Sequence, residues 1–61
     1  MNEVISAMML SLLESAQKHI DQAGACRNGG RPDSVWLANM ITAQMQHATA
    51  DALRAGRDAL R

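Results

Sequence analysis

Apolar and small residues recur along this chain at intervals of three and four, in two blocks separated by a glycine-rich break. In the first block Ile5, Met8, Met9, Leu12, Leu13, Ala16, Ile20 and Ala23 follow the period of an α-helix, with Glu3, Glu14, Lys18 and Asp21 on the other side. Asn2 suits an N-cap, and Glu3 sits in the first turn, where a carboxylate complements the helix dipole. Glu14 and Lys18 stand in the favourable i, i+4 order. Gly24 follows the last periodic residue, the place where a left-handed helix cap favours glycine. The pattern therefore predicts a first helix over about 2–23 and a loop over 24–32, with Asn28-Gly29-Gly30 as its turn signal.

In the second block Ala38, Ile41, Met45, Ala48, Ala52, Ala55 and Ala59 are spaced 3, 4, 3, 4, 3 and 4 apart. That alternation is the signature of a helix holding one face against another helix, and its alanines allow a close approach. We read these seven residues as a self-association seam. On that reading a leucine at Ala52 overpacks the contact and costs ~1–3 kcal/mol, whereas Ala43 and Ala50, on the opposite face, tolerate one. Pro32 precedes the block, and Asp33 and Ser34 are capping candidates. The predicted second helix runs over about 33–60, with Arg54, Arg57 and Arg61 near the negative end of its dipole and Gly56 as its weak point, at ~1 kcal/mol against alanine.

Two helices joined by a glycine loop make an all-α, antiparallel two-helix hairpin, a single domain over residues 1–61. A chain of this size buries only roughly 60% of its unfolded surface, and it has one Cys, hence no internal disulfide, and no Phe or Tyr. Each apolar stripe is wider than one helix covers, so the expected completion is a homodimer forming a four-helix bundle. The predicted second helix outruns the first, leaving Leu53 and Leu60 as an uncovered apolar strip. With Trp36 and Met40 they are the candidate partner-binding residues, Trp36 being expected to close the hairpin over Ile20. The five methionines read either as core or as an adaptable binding surface. In outline the pattern resembles small helical hairpins such as plasmid RNA-binding dimers of the Rop type and the short co-chaperones of type III secretion needles. That resemblance is one of shape, and no functional residue is carried across.

Charge and chemistry narrow the function. Six basic and six acidic residues give a net charge of zero, against the basic excess of most nucleic-acid-binding surfaces. Arg27, Arg31, Arg54, Arg57 and Arg61 are weak anion-binding candidates, with Asp51 and Asp58 expected to cancel the last three along a solvated face. A connection of about eight residues is too long for a helix-turn-helix, whose turn is about 3–4. The apolar stretch from Val4 to Leu13 is far short of the ~20 residues of a membrane span, and a cytoplasmic location is expected. With the turn near residue 28, His47 should lie opposite residue ~10, turns away from His19, so a shared metal site is not expected. Cys26 reads as an exposed loop thiol rather than a nucleophile, since no base is spaced to serve it. No cofactor is implied. The expected function is that of a non-enzymatic, protein-binding regulator, inhibitor or chaperone-like adaptor, acting as a hairpin dimer on another protein. The alternative is a dimeric nucleic-acid-binding regulator using the arginines of the loop and second helix.

Overall fold

The computed structural model describes residues 1–60. They form two α-helices, α1 over Asn2–Asn28 and α2 over Asp33–Ala59, packed as an antiparallel hairpin whose Cα trace measures 47 × 14 × 9 Å. Among the described residues no helix is long and apolar enough to cross a membrane.

The first helix runs five residues beyond its expected end. Gly24 lies inside it, and the cap stands at the Asn28-Gly29-Gly30 signal. There the Gly30 N–H donates to the Arg27 carbonyl at 3.2 Å and the Arg31 N–H to the Cys26 carbonyl at 2.9 Å. This pair of bonds defines a Schellman cap, and Gly30 supplies its left-handed residue at φ +73°. Gly24 carries no such bonds, so it costs helix propensity without ending the helix. Pro32 (φ −54°, ψ 146°) then turns the chain straight into α2, leaving a connection of four residues rather than eight. A turn that short no longer speaks against a helix-turn-helix; the antiparallel packing along the whole length does, because helix-turn-helix pairs cross at ~90–120°. Neither end is capped by a side chain: Met1 holds the first N-cap position, with Asn2 already helical.

Two interhelical hydrogen bonds fix the register. Gln46 Nε2 donates to Ser15 Oγ at 2.9 Å, and an Arg57 guanidinium nitrogen donates to Ser6 Oγ at 3.0 Å. Residues whose numbers sum to about 61–63 therefore lie opposite one another. Both helices have 27 residues and a length of about 40 Å, so the expected overhang of α2 does not exist. Between them run two stripes of alternating 3 and 4 spacing: Ile5, Met9, Leu12, Ala16, His19, Ala23 on α1, and Trp36, Asn39, Ala43, Gln46, Ala50, Leu53, Arg57 on α2. At this register the small residues Ala16, Ala23, Ala43 and Ala50 face longer side chains, which lets the helices come close. Those four alanines are the fully buried core.

The stripe of α2 that faces α1 is thus a different one from the expected self-association seam. Ala43 and Ala50 are 0% and 2% exposed, whereas Ile41 and Met45 of that seam are 56% and 66% exposed within the single hairpin. Ala38, Ala48, Ala52, Ala55 and Ala59 are exposed with them. The expectation that Ala43 and Ala50 tolerate a leucine is overturned: they are the positions where the hairpin has no room. On α1, Met8 and Leu13 turn outward as well, while the rest of the expected stripe faces α2.

Candidate partner-binding site

The closed end of the hairpin holds a cavity of about 240 Å³, lined by Ile20, Ala23, Gly24, Arg27, Trp36 and Met40. It exists because two successive residues of α1 there, Ala23 and Gly24, have almost no side chain to fill the space between three large ones. A Cβ built on Gly24 would meet nothing within 4 Å. Trp36, in the first turn of α2, is held from two sides. Its indole N–H donates to Asp33 Oδ1 at 3.1 Å, and the Arg27 guanidinium carbon lies 5.1 Å from the ring centroid. Asp33 therefore orients the indole instead of capping the helix. The cation–π contact contributes ~0.5–1 kcal/mol at an exposed site. Trp36 and Ile20 both line the cavity at this end.

Similarity to known proteins adds nothing to this picture. No family model, curated protein or solved structure matches the chain. Function has to be argued from the residues.

Of the four candidate partner-binding residues, Trp36 and Met40 share this cavity. Leu53 lies half-buried in the contact between the helices, whereas Leu60, 65% exposed, stands beyond it. They do not form the expected strip, because the overhang that would have exposed Leu53 is absent.

The arginines separate too. Arg54 pairs with Asp51 at 3.3 Å on the solvated side. Arg57 is turned towards α1, with its Nε 3.6 Å from Asp58 and another nitrogen on Ser6. Arg27 is engaged with Trp36, Arg31 is exposed in the connection, and Arg61 lies outside the described residues. Arg54 and Arg57 thus share no common face.

His47 is exposed, and the register sets it opposite residues 14–16 rather than 10. His19 is half-buried, its Nδ1 2.8 Å from the Ser15 carbonyl, so Nδ1 carries the proton and donates. Cys26 is half-buried in the last turn of α1, a helical residue instead of a loop thiol. Among the described residues no three His, Cys, Asp or Glu side chains come together as a metal-binding group.

Reading only apolar residues missed Ser6, Ser15, Asn39, Gln46 and Arg57, which with His19 are the polar members of the interhelical contact. The signal was available: Gln46 and Arg57 complete the 3 and 4 spacing of Trp36, Ala43, Ala50 and Leu53.

Proposed function

We propose that this protein is a non-enzymatic adaptor, a dimer of helical hairpins that binds another protein and thereby regulates, inhibits or chaperones it. The observation that carries this reading is the imbalance of burial. Among the described residues no large side chain is fully buried, while Val4, Met8, Leu10, Ile41, Met45 and Leu60 are among the large apolar residues left exposed. Each is worth ~1.5–3 kcal/mol when buried, so association is the direction in which the chain gains stability. The closed-end cavity suits an apolar side chain of the partner: it is apolar, open to the surface, and walled by an anchored Trp, the residue type most enriched at interface hot spots.

The reading is tested on the cavity. The tagged chain is used to isolate its partner from the native host, and the purified partner is then titrated calorimetrically against Gly24→Leu and Gly24→Ala. Leucine occupies the cavity and should abolish binding; alanine leaves most of it free and should preserve it. Equal affinity for both variants removes the cavity from the function. Recovery of RNA or DNA whose affinity falls steeply with salt would favour the nucleic-acid alternative instead.

A further inference from the structure

The two broad faces of the hairpin differ in charge. With the helices antiparallel and the interhelical stripes fixed as above, one broad face carries the cavity and the exposed Leu10, Leu13 and Leu37, together with the charged Glu3, Asp33, Asp51, Arg54 and Asp58. The other presents Val4, Met8 and Ser11 from α1, and Ala38, Met45 and Ala52 from α2. Of the charged residues in the two helices, only Lys18 falls on that second face; Glu14 and Asp21 lie on the outer edge of α1. Its polar groups are muted as well. Thr42 and Thr49 spend their hydroxyls on the carbonyls one turn back, Ala38 and Met45, at 2.9 Å each, so that neither hydroxyl calls for an outside partner.

Area points the same way. A folded monomer of 6.6 kDa is expected to expose about 3,900 Å². The hairpin exposes 4419 Å². Two copies shedding that excess would bury roughly 1,000 Å², near the lower end of specific interfaces.

We infer that this face, on which Lys18 is the one helix charge, is covered by a second copy of the chain, packed with the two closed ends together. This rests on the dimeric reading above and specifies its geometry. With a two-fold axis along the hairpin, α1 of one copy lies over α2 of the other at the register already seen within the chain. Met8 and Val4 then meet the small residues Ala52 and Gly56 of the partner copy near the open end, and Met45 meets Ser15, beside Lys18, at the middle of the face. Gly56 has nothing within 4 Å of a Cβ inside its own chain, so the space over it is open to such an approach. The two cavities then lie on opposite outer faces of one four-helix bundle, and the dimer offers two equivalent docking sites.

Sedimentation equilibrium of the full chain at micromolar concentration tests this. The native chain should give twice 6.6 kDa. Ala52→Glu, on the covered face, should dissociate at least 100-fold more readily, while Gln44→Glu, on the opposite broad face of the same helix, should leave the dimer intact. Ala52 is exposed in the hairpin, and adding Ser11→Arg to Ala52→Glu should restore the dimer by pairing the new charges across the two copies. A native chain that sediments as a monomer overturns the dimeric reading itself. A dimer that survives Ala52→Glu, or is lost in Gln44→Glu, keeps that reading and overturns the face. A double variant that stays monomeric overturns the closed-ends-together arrangement.

Discussion

Replacing Ala43 by leucine tests the assignment of the interhelical face most directly. Ala43 is 0% exposed and stands opposite His19 and Ile20, so three added carbon atoms find no void and must push the helices apart or force α1 off its register. Overpacking of this kind costs ~1–3 kcal/mol. In a domain of this size 1 kcal/mol moves the melting temperature by roughly 4–8 °C, so the midpoint should fall by at least that much. Ala48→Leu makes the same chemical change one and a half turns away on an exposed surface, on neither broad face, and serves as the control. Helicity at 222 nm followed through urea and heat gives both values, at one fixed protein concentration because dimerisation adds to apparent stability. The slope of the urea transition should be the same in both variants. A loss in Ala48→Leu equal to that in Ala43→Leu would refute the assignment, since it would mean that the alanine seam, not the Ala43 stripe, faces α1.

Three further outcomes follow from particular contacts. Gln46 Oε1 is buried without a hydrogen-bond partner among the described residues, so Gln46→Leu should raise the urea midpoint by an amount equivalent to about 1 kcal/mol, whereas Ser15→Ala, which strands Gln46 Nε2, should lower it by about as much; losses in both would show that the Gln46 amide is fully satisfied. Gly30→Ala, at φ +73°, should cost about 1 kcal/mol while Gly24→Ala, in a helix interior with open space, should gain about 0.5–1, and the opposite order in thermal melts would return the helix end to Gly24. Arg27→Met should cost about 0.5–1 kcal/mol and shift the emission of Trp36, the chain's single tryptophan, and an unchanged spectrum would show that the guanidinium does not sit on the ring.

Two helices, roughly where each lies, and their pairing as a hairpin are all legible in the order of residues. Local chemistry decides those points: apolar residues at helical spacing, glycines that interrupt them, and a proline that starts a new helix. Even the true end of α1 was legible, since Gly29-Gly30 and not Gly24 has a proline two residues further on and a turn signal around it. What the sequence could not decide was rotation. The α2 sequence carries two stripes of the same 3 and 4 spacing, one of Ala38, Ile41, Met45, Ala48, Ala52, Ala55 and Ala59, the other of Trp36, Asn39, Ala43, Gln46, Ala50, Leu53 and Arg57. Periodicity fixes how often a helix returns to a face, not which face is turned inward. Apolarity alone favours the first stripe, because the second contains Asn39, Gln46 and Arg57. The tertiary structure turned the second inward. The short Schellman-capped connection sets how α2 leaves the turn, Trp36 and Leu53 bring the larger apolar volume to α1, and Gln46 and Arg57 find Ser15 and Ser6 waiting at the matching register. A polar residue reads as an outward one until its partner, thirty or fifty positions away, is placed beside it.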